Sequence, residues 1–288
     1  MTERALPAVP DATADERRHV TVITPPAGWP RIDWHELWAY RELLWVLATR
    51  DVKVRYKQSL LGAGWAIVRP LLTMVVFTLL FGKLAKIDSD GLPYSVFVYA
   101  GLLPWTFFAS VVGSASQSLL GSSHLVSKVY FPRLIIPLSS AGAPLADLAV
   151  STAFLVALMA FYGIGWTPHL FAAPALALLV AVTALGVGTL LSALTVTYRD
   201  FTHITPFLVQ LWMFATPVIY PLSLVPREWH WLMYLNPMTG LVEGFRACFL
   251  GRPFNWLALA ASALVSLVAL AVAVAYFEKA ERRFADVI

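Results

Sequence analysis

From residue 65 to the C-terminal tail, long apolar blocks alternate with short polar connections. The blocks predict helices over 65–81, 94–114, 134–162, 170–195, 204–220 and 256–277. Each is close to the roughly 20 residues that an α-helix needs to cross about 30 Å of hydrocarbon. Pro70, Pro104, Pro144, Pro174 and Pro206 fall in or near these blocks. Proline is tolerated in a membrane helix when neighbouring groups take up the carbonyl it frees.

Two segments depart from this pattern. Over 34–50 (WHELWAYRELLWVLATR), Leu37, Trp38, Leu44, Trp45 and Ala48 recur at helical spacing among Glu36, Arg41, Glu42 and Arg50. This predicts an amphipathic helix in the membrane interface with tryptophan on its apolar side. A surface helix of a soluble domain has the same pattern. Over 221–255 the connection is long yet apolar in two runs, 229–235 and 241–250, separated by Asn236-Pro237. Neither run is long enough to span. Two short helices dipping into the outer leaflet satisfy both facts, and so does an aromatic-rich loop lying on the bilayer. Irregular backbone at that depth has to line a cavity or be covered by protein.

The expected architecture is an all-α membrane protein with about six transmembrane helices. It has an N-terminal amphipathic interfacial helix and an outer re-entrant helical hairpin between spans five and six. Residues 1–33, rich in Pro, Ala and charge, read as a flexible cytoplasmic arm. Residues 34–64 read as a cytoplasmic interfacial segment and 65–288 as the six-span domain.

Composition narrows the class. Of 288 residues, 59% are hydrophobic and 13% charged, against about a quarter charged in soluble domains. An ordinary soluble enzyme, a disordered chain and a disulfide scaffold are excluded. Cys248 is the sole cysteine, so no intrachain disulfide can form. Residues 1–20 lack the apolar core of a cleavable signal. Sixteen of the 21 Lys and Arg fall on one side of the spans, nine of them ahead of the first. The positive-inside rule then puts both termini in the cytoplasm.

Candidate chemistry is sparse. There is no G-x-x-x-x-G-K-[ST] phosphate loop, so ATP-driven transport would need an ATPase on a separate chain. The six histidines are scattered, with no pair at metal-ligand spacing, and no nucleophile–base set is discernible. No catalytic or metal site is therefore expected. The outward connections offer as acids only Asp88, Asp90, Glu228 and Glu243, which argues against a membrane enzyme.

Asp147 is the only acid well inside a predicted span, where a carboxylate is costly. It faces a polar conduit, or it hydrogen-bonds a Ser or Thr on a neighbouring helix. Glu243 and Arg246, three apart, can pair on a short helix, either neutralising each other for burial or touching a ligand. Trp105, Phe107, Phe108, Trp212, Phe214 and Tyr220 fall towards the outward ends of spans two and five. Aromatic faces stack on the C–H faces of sugar rings, so these six suit a glycan passage. Interfacial belts also use such residues. In the 121–134 connection (GSSHLVSKVYFPRL), Lys128, Val129, Tyr130, Phe131 and Arg133 suit a knob that docks a cytoplasmic partner, or a turn anchored at the headgroups. The basic residues of 50–57 (RDVKVRYK), Arg50, Lys53, Arg55 and Lys57, suit an anionic cytoplasmic leaflet.

Four stretches together resemble one family, the permease subunit of ABC exporters for lipid-linked polysaccharides. That family covers O-antigen, capsular polysaccharide and teichoic acid exporters, and is Wzm-like in the O-antigen case. The stretches are RDVKVRYKQSLLGAGWAIVRPL (50–71), SKVYFPRLIIPL (127–138), YRDFTHITPFLVQLWMFATPVIYP (198–221) and LNPMTGLVEGFRACFLG (235–251). The resemblance covers nearly everything after residue 34. It implies six spans in a bacterial cytoplasmic (inner) membrane and a homodimer bound to two copies of a cytoplasmic ABC ATPase. ATP and magnesium would sit on that partner, with no cofactor on this chain and no nucleic acid. It also implies that Lys128, Val129, Tyr130, Phe131 and Arg133 couple to the ATPase. Arg50, Lys53, Arg55, Lys57 and Arg69 would meet the lipid diphosphate at the cytoplasmic mouth. The outer hairpin, with Asn236, Pro237, Glu243, Gly244 and Arg246, would shape the exit. A membrane enzyme acting on lipid-linked sugars and a passive channel are the alternative readings.

Overall fold

A computed structural model describes residues 34–57, 62 and 64–287. The arm expected over 1–33 lies outside the described residues. The N-terminal helices are α1 (Trp34–Ala39) and α2 (Arg41–Lys57). Next come α3 (Gly64–Phe77), which continues as a π-helical stretch Thr78–Leu84, then α4 (Tyr94–Gly121), α5 (Ser123–Lys128), α6 (Ile135–Ser139) and α7 (Gly142–Phe161). The remainder is α8 (Ala173–Thr197), α9 (Phe201–Ala215), α10 (His230–Leu235), α11 (Pro237–Leu250) and α12 (Trp256–Val287). There is no strand among the described residues.

Five helical stretches are long and apolar enough to cross a membrane: Gly64–Leu84, Tyr94–Gly121, Ile135–Phe161, Pro168–Thr197 and Trp256–Glu281. The third is two helices in series, because Pro144 has no N–H to return to the Ser140 carbonyl four residues back. The expected fifth span, 204–220, is shorter than its apolar block. α9 has 15 residues, about 22 Å of helix. It stops because Thr216 precedes Pro217, which pushes it into extended backbone (ψ 141°).

α4 is the central helix. Val96, Tyr99, Leu103, Phe108 and Val111 on it are fully buried against α8, α7, α3 and α11. Apolar burial does little to drive helices together in lipid, so close backbone approach and interhelical hydrogen bonds carry more of the packing. The Thr183 and Ser266 hydroxyls meet at 2.6 Å and link α8 to α12. Gly240 of α11 lies directly on the backbone of Ala258 in α12, and its N–H donates to Ser262 Oγ at 3.1 Å. A second apolar cluster closes the other end of the bundle, where Leu47 of α2 meets Leu119, Phe131, Ile135, Phe277 and Phe284. α2 therefore packs through its leucines and leaves Trp45 exposed, as Trp38 of α1 is.

The backbone beyond α9 is held by one buried cation. Arg246 of α11 is 1% exposed. Its Nη1 donates to the Pro217 carbonyl at 2.7 Å and to Glu243 Oε1 at 2.8 Å. Its Nη2 donates to the Val218 carbonyl at 2.5 Å. The guanidinium lies over the Phe97 ring, 3.7 Å from its centroid. The Tyr94 hydroxyl donates to the next carbonyl, Ile219, at 2.6 Å. Asn236 completes the set. Its Nδ2 donates to Thr216 Oγ1 at 2.9 Å, and its Oδ1 accepts from Trp212 Nε1 at 3.0 Å and from the Met238 N–H that starts α11. The far end of α11 closes on Gly251 in left-handed backbone (φ 69°), a conformation in which a side chain is strained.

Replacing Arg246 by Met leaves the Pro217 and Val218 carbonyls and the Glu243 carboxylate without their donor. The expected cost is about 3–5 kcal/mol, read as a fall of roughly 10 °C or more in the melting midpoint of the detergent-solubilised protein. Adding Glu243→Gln is expected to restore only the carboxylate's share, since the carbonyls stay unpaired. Gly240→Val forces a Cβ into the Ala258 carbonyl. It is expected to destabilise by about 1–3 kcal/mol through overpacking, seen as a lower yield of monodisperse protein on size exclusion.

Candidate functional site: a polar cavity and the loops around it

A cavity of about 690 Å³ opens between the last turn of α2 and helices α3, α4 and α7. Its polar walls come from side chains one helical turn apart. Trp65, Arg69 and Thr73 share a face of α3, Thr106 and Ser110 a face of α4, and Asp147 and Ser151 a face of α7. Ser151 Oγ donates to the Ala66 carbonyl at 2.7 Å and fixes α7 against α3. Arg69 lies beside the Trp65 ring, 5.8 Å from its centroid.

Asp147 answers to α2 rather than to a neighbouring Ser or Thr. Its Oδ2 pairs with Arg55 Nη1, and its Oδ1 accepts from the Tyr56 hydroxyl at 2.5 Å. Burial, then the adjacent carboxylate, push the Tyr56 hydroxyl up to about 12, so it stays a donor. Of the five basic residues assigned to the mouth, Arg55 and Arg69 line the cavity. Arg50 pairs with Asp51 on its own helix at 3.0 Å. Lys53 and Lys57 are exposed and are not among the cavity's walls.

The six aromatics divide. Trp105 and Phe107 reach the cavity wall from the middle of α4. Phe108 is fully buried between Trp105 and Trp212, at ring separations of 5.3 and 5.1 Å. Phe214 is half exposed, and the Tyr220 hydroxyl returns to the Phe214 carbonyl at 3.4 Å.

The 121–134 connection separates a tip from a root. Lys128, Val129 and Tyr130 are exposed. Phe131 turns inward into the apolar cluster under α2. Arg133 Nη1 donates to the Glu281 carbonyl at 2.8 Å, tying the root to the end of α12. The Tyr130 hydroxyl bonds Glu36 of α1, whose negative charge pushes it above the ordinary phenol range.

At the opposite end, Asn236 and Pro237 start α11, Gly244 lies against Leu259 and Leu176, and Glu243 and Arg246 form the brace described above. α10 carries exposed Trp231 and Leu235, whereas α11 is buried along nearly its whole length. Asp90 is engaged by Arg252 and accepts from Ser223 Oγ at 3.0 Å. Among the described residues, no three His, Cys, Asp or Glu side chains gather as metal ligands do.

Sequence reading missed Tyr56, Glu281, and the Thr73, Ser110 and Ser151 walls. The walls carried a signal: polar residues four apart on otherwise apolar helices, as in Arg69–Thr73 and Asp147–Ser151. The pairings did not, since Arg55 and Asp147 are 92 positions apart and Arg133 and Glu281 are 148 apart.

Comparison with known proteins follows the same segments. Residues 42–250 match the family described as ABC-2 type transporter. An O-antigen export system permease protein, RfbA of Myxococcus xanthus, is 35% identical over 256 residues, covering 88% of this chain and 98% of that protein. RfbA of Klebsiella pneumoniae is 27% identical over 250 residues, covering 86% and 95%. The polysialic acid transport protein KpsM of Escherichia coli is 22% identical over 240 residues, covering 82% and 92%. The matched region runs from the start of α2 to the end of α11, and on that basis the chain belongs to the ABC-2 type transporter family.

Proposed function

We propose that this chain is the permease subunit of an ATP-driven exporter. It moves polyprenyl-diphosphate-linked polysaccharide, O-antigen or a similar surface glycan, across the cytoplasmic membrane. It works as a homodimer with two copies of a cytoplasmic ABC ATPase. The observation that carries this reading is the near full-length similarity to an O-antigen export permease. The cavity's chemistry agrees with it, because arginines beside aromatic rings suit a phosphate-bearing, sugar-bearing substrate.

In this reading both termini, α1 and α2 lie on the cytoplasmic side, and α10 with α11 forms a re-entrant hairpin in the outer leaflet. The apolar faces of α3 (Leu72, Val75, Val76) and α9 (Phe207, Leu208, Leu211) are exposed. They meet the second copy, and the passage runs between the two. Arg55 and Arg69 draw the diphosphate to the cavity, and the sugars follow past Trp65, Trp105 and Phe107. The exposed tip Lys128–Tyr130 seats in the ATPase. Its root, Phe131 against the apolar cluster and Arg133 against Glu281, carries ATPase movement to α2 and α12.

Co-purification with an ABC ATPase, followed by ATP turnover with and without lipid-linked glycan, tests the reading. A stable complex whose turnover rises with glycan supports it. A chain that binds no ATPase, or a turnover indifferent to glycan, removes it in favour of an enzyme or a passive channel. Lys128→Glu/Tyr130→Ala is expected to cut glycan-stimulated turnover by about tenfold or more, as loss of interface anchors does. The melting midpoint should fall little, because both side chains are exposed and the Tyr130–Glu36 bond that is lost is a surface contact.

A further inference from the structure

The Arg55–Asp147–Tyr56 contact does more than hold a charge in a span. It is the polar link between the interfacial helix α2 and the membrane helix α7, and it forms part of the cavity wall. Arg55 gives only Nη1 to Asp147, and its Nη2 and Nε are hydrogen-bonded to none of the described residues. The pair is partly exposed, at 37% for the Arg55 side chain and 26% for Asp147, so a ligand in the cavity can reach it. Arg69 stands on the same wall. Gly62, between α2 and α3, lines the cavity in left-handed backbone (φ 49°), a turn that only glycine adopts without strain.

We propose that Asp147 is a resident counter-ion that an incoming phosphate-bearing headgroup displaces from Arg55, so that substrate binding itself releases the last turn of α2 from α7. The inference rests on the export reading and adds to it a regulatory step at the same cavity. The exchange is electrostatically reasonable. A diphosphate carries more charge than a carboxylate and can take two parallel guanidinium N–H bonds where Asp147 takes one, so it competes for the Arg55 cation. Arg69 adds a second cation to the bound state that the resting pair does not use. The Tyr56 hydroxyl leaves with α2, and the released Asp147, already 26% exposed, is solvated by the open cavity. Because the pair is partly solvated, its own strength is modest, which makes it exchangeable rather than a permanent brace. Lipid occupancy and freedom of the last turn of α2 are thereby one event, and α1, which runs into α2, bonds the Tyr130 tip through Glu36.

The test uses the full permease–ATPase complex in nanodiscs. Hydrogen exchange is read in the peptide covering 50–57, and ATP turnover is titrated with polyprenyl diphosphate, neutral polyprenol and inorganic diphosphate. Polyprenyl diphosphate is expected to raise exchange in 50–57 by roughly threefold or more, as release of a docked helix does, and neutral polyprenol is not. Asp147→Asn and Arg55→Gln break the same contact but should move the substrate response in opposite directions. Asp147→Asn frees Arg55 and lowers the half-saturating lipid concentration by about two- to fivefold, whereas Arg55→Gln raises it. A merely structural ion pair predicts a shift in one direction for both variants, and that result overturns the proposal. Exchange that stays flat while turnover still responds to lipid also overturns it and leaves the export reading standing. A turnover that ignores lipid-linked substrate altogether removes the export reading and the exchange together. An equal effect from inorganic diphosphate at the same concentration assigns the anion to a soluble source and rejects the lipid headgroup.

Discussion

Inside a bilayer every backbone carbonyl needs a donor, and water is not there to provide one. This chain breaks its fifth apolar block at Thr216 and meets that constraint with side chains. Arg246 reaches Pro217 and Val218, Tyr94 reaches Ile219, and Asn236 holds the start of α11 against the end of α9. The donors come from α4 and from α11 with its cap residue, and the carbonyls from the chain that leaves α9. The unwound stretch therefore fixes where α4, α9 and α11 sit relative to one another. Gly240 then sets α11 on α12, and α4 organises the rest. A buried arginine is costly to desolvate, and here five acceptors and an aromatic face offset that cost.

The two ends of the bundle solve different problems. The end bearing α10 and α11 is held by many short polar contacts, including Arg252 with Asp90 and Ser223 with Asp90. The end bearing α1 and α2 relies on an apolar cluster, with Arg133–Glu281, Tyr130–Glu36 and Arg55–Asp147 at its margins. An apolar seat with a few polar ties allows a helix to shift without leaving a row of unpaired groups. The end bearing α10 and α11, where carbonyls depend on single donors, has no such freedom.

Much of this was legible in the chain and some was not, for physical reasons. The long helices were, because lipid demands uninterrupted apolar runs and no soluble core competes for the same pattern. The ionic partners Glu243 and Arg246 were, because one helical turn separates them. The end of α9 was not placed, although Thr216-Pro217 stood in plain view. Hydropathy continues through Val218 and Ile219, and it takes the side chains of Arg246, Tyr94 and Asn236, distant in sequence, to support a break there. Leu37, Trp38, Leu44, Trp45 and Ala48 read as one apolar side at the membrane interface, and that side divides: Leu37 and Leu44 pack on the bundle while Trp38 and Trp45 are exposed. Phe131 read as part of an exposed knob, yet it roots the knob. Both cases turn on which apolar side chain finds a pocket, which period alone does not settle. The Arg55–Asp147 pairing had no local signal at all.

The shortness of α9 has a consequence for the bilayer itself. Beside a helix of about 22 Å, hydrocarbon that is ordinarily about 30 Å deep has to thin, or the flanking chain has to sink into it. Either response narrows the low-dielectric slab at one place on the circumference. The energy of moving a polar polymer through a membrane grows with the depth of that slab. A polar group passing beside α9 would then spend less of its path out of water.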